Sequence, residues 1–269
     1  HRILRTPCGG DRPTALHLLP RPTSSSMACV TDDAFPPGGS SCEVGLRFTQ
    51  DDFDLFAHLS GDTNPIHVDP AFAAETRFGR TVAHGMLLFA AANASINRWI
   101  GGRLNVHEQH LMFPAPTFAE EEVSLHLTIE RDGGTTRRYV EVAMVTSSGE
   151  TCRGRALVGF DELNPNHPSL PVVPTEAAEF KGLRVGMQAD RTRVPDAGDV
   201  RAFVDLAGDP HAGYADSLPM VPPALLGGAI SDLLGVSLPG PGSNWLKQSY
   251  RFHRPVLVLI EFQAEPAVL

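Results

Sequence analysis

Ser60-Gly61-Asp62-Thr63-Asn64-Pro65-Ile66-His67-Val68-Asp69, followed by Val82-Ala83-His84-Gly85-Met86 at the head of an apolar run, is the stretch that decides this chain. It sets a carboxylate and an imidazole five positions apart in a segment rich in Gly, Asn and Pro. That composition breaks helices and strands, so a loop is expected to hold these side chains. An Asp and a His that share one water form a general acid/base pair, because the imidazole titrates near neutral pH and the carboxylate orients or accepts. A lone Asp/His pair is most often two surface residues. The whole string is far more specific.

Around this loop the elements can be placed. Cys42, Val44, Leu46 and Phe48 alternate as a half-buried strand does. Thr49-x-x-Asp52 has the form of a capping box, and Phe53, Phe56 and Ala57 share a helical face behind it. From about Ala83 to Ile100 the chain is apolar almost all round until Gly101-Gly102, which predicts a buried helix. Val123, Leu125, Leu127 and Ile129 alternate, then Val140, Val142 and Met144, with turns at Asp132-Gly133-Gly134 and Ser148-Gly149 before Cys152 to Phe160. This order predicts an α+β fold with an antiparallel sheet.

The unit recurs. Phe56 to Asp69 aligns without gaps to Phe203 to Asp216, with the Phe, Leu, Gly and both Asp positions coinciding. Val82 to Leu87 then meets Val221 to Leu226, and Gln109, Phe113 and Pro116 meet Gln248, Phe252 and Pro255. The second copy keeps Asp209 but has Tyr214 for His67 and Pro222-Pro223 for Ala83-His84. Tyrosine, with a pKa near 10, is a poor proton shuttle at neutral pH. The second copy is therefore expected to be inactive and to complete the site of the first.

The resulting organisation is a disordered leader over 1–41, a catalytic domain over 42–162, a Pro-rich linker over 163–182, and a degenerate domain over 183–269. The leader carries Pro13, Pro20, Pro22, Ser24-Ser25-Ser26 and Pro36-Pro37. Against the first copy, the second lacks roughly the last two strands, so a truncated end is expected, with an open sheet edge. A 42% apolar, 20% charged composition fits a chain with a buried core. The net charge of −9, without a Lys/Arg run, argues against a nucleic-acid partner. Cys8, Cys29, Cys42 and Cys152 show no metal-ligand spacing, so no metal is expected and free thiols of a cytoplasmic protein are. No run reaches the roughly 18 apolar residues that span a bilayer.

The Gly-Asp-x-Asn-Pro-x-His-x-Asp string at Gly61 to Asp69 with Ala83-His84-Gly85-Met86 resembles the signature of the MaoC-like (R)-specific enoyl-CoA hydratases of the hotdog fold. The resemblance implies a tandem hotdog, each curved sheet wrapping a central apolar helix. It implies Asp62 and His67 as the catalytic pair, adding water to a trans-2-enoyl-CoA thioester in fatty acid metabolism. The CoA thioester is then the substrate and no cofactor is needed. Asn64, His84, Gly85, Met86 and Asn93 are expected around the substrate. Asn64 fixes the loop, Pro65 presents His67, and Gly85 lets the helix N-terminus approach the thioester oxygen. His84 either lines the pocket or bonds backbone at the helix start. Asn93 stands where relatives commonly carry a small hydroxyl residue.

Arg77, Arg80, Arg98 and Arg103 are candidates for the CoA phosphates or are solvated surface residues, while His107, His110, His126 and His253 read as structural or solvent-facing. An acyl-carrier-protein thioester is the alternative partner, and a homodimer is compatible with the family. The competing functions are a dehydratase acting on 3-hydroxyacyl-carrier-protein or branched acyl-CoA thioesters and a non-catalytic acyl-thioester-binding subunit. A hotdog thioesterase fits less well, since it places its carboxylate on the central helix.

Overall fold

The structure is a computed structural model, and it describes residues 35–102, 104–130, 136–165, 179–180, 183–184, 187–209, 214–215, 218–258 and 262–264. The expected leader up to residue 34 and most of the expected linker lie outside the described residues. Strand β1 (Ser41–Arg47) leads into helix α1 (Gln50–Ser60), where Thr49 and Asp52 form the expected capping box. The Asp52 N–H donates to Thr49 Oγ1 at 3.2 Å and the Thr49 N–H to Asp52 Oδ2 at 2.7 Å. Two short helices follow, α2 (Pro65–Val68) and α3 (Pro70–Ala74), then the long α4 (Gly85–Ile100). Every residue of α4 from Met86 to Asn97 is buried, as its lack of a polar face requires.

Strands β2 (Asn105–Met112), β3 (Glu122–Ile129), β4 (Arg137–Thr146) and β5 (Gly149–Gly159) complete the first half. Their inward residues, among them Leu125, Val142, Met144 and Val158, form one core with α4. The fold class is the expected α+β arrangement, an antiparallel sheet packed on a buried helix.

The second half opens with two short pieces, β6 (Glu179–Phe180) and β7 (Leu183–Arg184), before β8 (Arg191–Arg193) and α5 (Ala197–Ala207). A hairpin of β9 (Tyr214–Ala215) and β10 (Leu218–Pro219) precedes α6 (Pro223–Asp232), which runs on as a π-helical turn over Leu233–Ser237. Last come β11 (Lys247–Arg251) and β12 (Phe262–Ala264). Arg193 pairs with Phe262 as Leu46 pairs with Val123, so β8 and β12 repeat the register of β1 and β3.

Among the described residues no sheet made by the second half alone wraps α6. Among the described residues it offers no counterpart of β4 and β5, and β11 instead joins the edge of the first sheet, in the order β1-β3-β4-β5-β2-β11. An unpaired β2 edge would leave a row of backbone donors and acceptors, and β11 satisfies them. The β2–β11 pairing is centred on His110 opposite Ser249, which hold the same place in the repeat. Symmetry about that pair extends to the flanks, where Phe113 N–H donates to Leu246 C=O and Phe252 N–H to His107 C=O, both at 2.9 Å. The buried Gln248 Nε2–H donates to Gln109 Oε1 at 2.8 Å across the same seam. Val200, Phe203, Leu206 and Leu225 of α5 and α6 join the core around α4.

Candidate active site

Helix α1 ends at Gly61, whose φ of 87° is left-handed and suits glycine, with its N–H returned to Ala57 C=O. The reversal turns Asp62 inward, where it is 1% exposed. The segment after it is not the irregular loop that its composition predicts. Asn64 accepts the Ile66 N–H and caps α2, and Pro65 sits at the first helical position, where a missing N–H costs nothing. His67 is therefore held on a one-turn helix.

His67 Nδ1 lies 2.7 Å from the Val82 carbonyl. A carbonyl only accepts, so Nδ1 carries the proton and Nε2 keeps a lone pair. Burial pushes the imidazole below its ordinary range, against the pull of the Asp62 carboxylate and the Val82 bond. Polar side-chain atoms of Asp62 and His67 lie within 4.8 Å of each other, a span that a single water bridges with hydrogen bonds of about 2.8 Å.

His84 is fully buried behind His67 rather than lining the cleft. Its Nε2–H donates to the Asp62 carbonyl at 3.0 Å, the backbone-bonded role of the two that the sequence allows. Its ring stacks on that of His67 at 3.8 Å and 27°. Burial, and then His67, hold it well below the ordinary histidine range, so it is neutral. Imidazole lone pairs lie in the ring plane, and planes so separated and inclined meet well beyond the roughly 2 Å of a metal–nitrogen bond. The stack therefore does not aim both rings at one ion.

Asp62, Asn64, His67 and Gly85 all border the cleft. Gly85 heads α4, and a Cβ there would come within 2.8 Å of the Phe113 ring. Met86 and Asn93 do not border it, which corrects their expected place beside the substrate. Met86 is fully buried and packs toward α6, where a Cβ on Gly227 would stand 2.6 Å from its sulfur, and Asn93 is buried further along α4. Of the four candidate arginines Arg77 borders the cleft, Arg80 pairs with Glu121, Arg98 donates to Gly208 C=O, and Arg103 lies outside the described residues.

The other wall comes from the second half, through Ser231, Leu234, Gly235 and the segment from Ser243 to Leu246. Ser231 Oγ–H donates to Asp62 Oδ2 at 2.5 Å, while Oδ1 accepts the Asn64 N–H at 3.3 Å. Asn64 is clasped in turn, its Nδ2–H donating to Ser243 C=O and its Oδ1 accepting the Gly242 N–H, both at 3.0 Å. A Cβ on Gly235 would sit 2.7 Å from Asp62 Oδ1, so the π-helical turn reaches the carboxylate only because glycine stands there. Sequence reading missed these partners. The one signal was the repeat itself, which aligns α6 with α4 and so places it across the site.

The family described as MaoC like domain matches residues 37–150. The chain is 36% identical over 120 residues to the (R)-specific enoyl-CoA hydratase of Aeromonas caviae, spanning 42% of this chain and 90% of that protein. It is 32% identical over 125 residues to the 3-hydroxybutyryl-CoA dehydratase of Methylorubrum extorquens, 43% of this chain and 79% of that one. A solved structure titled MaoC-like dehydratase shares the fold at a TM-score of 0.60 and 16% identity, over 81% of this chain and 83% of its own. At 36% identity over 90% of the Aeromonas caviae relative, and with the family's domain matching residues 37–150, the chain belongs to the MaoC-like family.

Proposed function

We propose that the chain reversibly hydrates trans-2-enoyl-CoA to (R)-3-hydroxyacyl-CoA, with Asp62 and His67 as its catalytic residues. The observation that carries this reading is the meeting of a carboxylate and an imidazole, its Nδ1 held by the Val82 carbonyl, at the edge of one cleft with polar side-chain atoms within 4.8 Å of each other. Water held between Asp62 and His67 Nε2 adds its oxygen to Cβ while its proton passes through the dyad to Cα. The π bond becomes one C–O and one C–H bond, and nothing else is consumed. Negative charge gathers on the thioester oxygen before Cα is protonated. The N–H groups at the head of α4, beside Gly85, answer that charge with the helix dipole behind them.

His84 serves as a neutral support, holding the Asp62 backbone and stacking on His67. The dehydratase reading is the same chemistry run backward, on CoA or acyl-carrier-protein thioesters. The reading includes no cofactor, a setting in cytoplasmic fatty acid metabolism, and a site whose second wall is intramolecular, so a homodimer is not needed to build it. Crotonyl-CoA mixed with the purified chain tests it. Loss of the enoyl-thioester absorbance with (R)-3-hydroxybutyryl-CoA as product is the expected result, and no turnover of crotonyl-CoA or longer enoyl-CoA esters would overturn it.

A further inference from the structure

Behind the cleft lies a group of charges that the hydration chemistry does not use. Asp232, the residue after Ser231, has a fully buried carboxylate, with Arg191 Nε 3.0 Å from its Oδ2. Arg193, on the same strand β8, donates from Nη2 to Leu59 C=O at 2.8 Å and to His58 C=O at 3.4 Å. These carbonyls belong to the last turn of α1, where no intrahelical partner remains, so the guanidinium caps the negative end of the helix. The two groups meet at Gly61. A Cβ there would stand 3.1 Å from Arg193 Cζ and 3.1 Å from Asp232 Oδ2. Gly61 directly precedes Asp62.

We infer that Arg193 and Asp232 are positioning residues for Asp62: Arg193 fixes the end of α1 that presents the backbone of Asp62, and Asp232 fixes the helix whose Ser231 holds its carboxylate. The inference rests on the hydratase reading above. The aspartate is gripped from both sides by the same cluster, through main chain on one and Ser231 Oγ on the other. Burial raises the Asp232 carboxyl above its ordinary range, and Arg191 draws it only part of the way back. At the equivalent place in the first half stands Asn93, which carries no charge, so the cluster is a feature of the half expected to lack catalysis.

Arg193→Gln, Arg193→Lys and Asp232→Asn, assayed beside the wild type with crotonyl-CoA and in urea unfolding, form the test. Displacing a reacting group by about 1 Å costs on the order of 10²-fold. Arg193→Gln is expected to lower kcat by about 10- to 100-fold with KM within about 3-fold, and Asp232→Asn by about 5- to 10-fold with the same split. Arg193→Lys should recover part of the Arg193→Gln loss, since an ammonium also donates to the α1 carbonyls. Wild-type kcat in both Arg193→Gln and Asp232→Asn, or lost stability alone, would overturn the assignment. If Arg193→Gln does not fold, Asp232→Asn decides, because it installs the amide already tolerated at Asn93. A wild type with no turnover sinks the hydratase reading and this inference with it; an active wild type with unaffected variants sinks this inference alone.

Discussion

Helices α1 and α5 occupy the same place in the two halves and are built almost identically. Each has eleven residues, a capping box in front (Thr49 with Asp52, Asp196 with Asp199) and a left-handed glycine behind (Gly61, Gly208). Each is followed by a buried aspartate, Asp62 or Asp209. Beyond that point the halves part. Asp62 meets His67 and Ser231, whereas Asp209 Oδ2 accepts a hydrogen bond from Asn97 at 2.8 Å, and Tyr214 holds the place of the histidine. Caps and apolar periodicity set the scaffold, and they survive in both halves. The chemistry proposed for the first half depends on a few side chains, and the second half carries others in their places.

The sharpest break of this comparison is catalytic. Asp62→Asn and His67→Ala should each cut crotonyl-CoA hydration by at least about 10²-fold with the fold retained, since both act in proton transfer. Asp209→Asn and Tyr214→Phe should leave turnover within about 3-fold. Comparable losses in the second pair, at unchanged stability, would make both halves catalytic.

A smaller contrast concerns acid. His67 and His84 are buried, and burial, the leading cause in both, lowers them below the ordinary 6.5. Between that value and their folded ones the unfolded chain binds protons that the folded chain refuses. Stability is thus undiminished above about pH 6.5 and falls as pH drops below it, by up to about 1.4 kcal/mol per pH unit for each group. The second half has Tyr214 and Pro223 at these places and adds no such loss. Urea unfolding at pH 7.5 and 5.5 measures it; His84→Gln should lose less than the wild type, and an unchanged loss would place the acid sensitivity elsewhere.

The smallest effect sharpens the likeness. Thr49→Ala and Asp196→Ala each remove a cap worth about 0.5 to 2 kcal/mol, and equivalent helices should pay similarly in chemical denaturation. A cost confined to Thr49→Ala would mean that α5 is held by packing alone.

How much of this could be read beforehand differs residue by residue. The Thr49/Asp52 cap, the alternation at Val123 to Ile129 and the all-apolar α4 are local patterns, and local patterns are what a sequence displays. Helix α2 is hidden in the sequence because Pro65 reads as a breaker, when at a first helical position behind a capping Asn64 it is a starter. Asp62 and His67 were legible as a spaced pair. Ser231 was not, since it lies 169 positions from Asp62 and nothing near it spells out a partner. Met86 and Asn93 were placed by analogy of position, and burial moved them off the cleft. Tertiary contacts across a repeat leave their trace in the register of the two copies rather than in any one motif.

The seam centred on His110 and Ser249 carries a further consequence. Two identical chains meeting across such an axis would have to use one surface for both roles, and every substitution would fall twice. Here the two faces are written separately in one polypeptide, so α6 was free to acquire what Asp62 needs without altering α4. Tethering also makes the encounter of the faces intramolecular, with an effective concentration set by the connecting chain and not by the amount of protein present. Dilution cannot open this cleft.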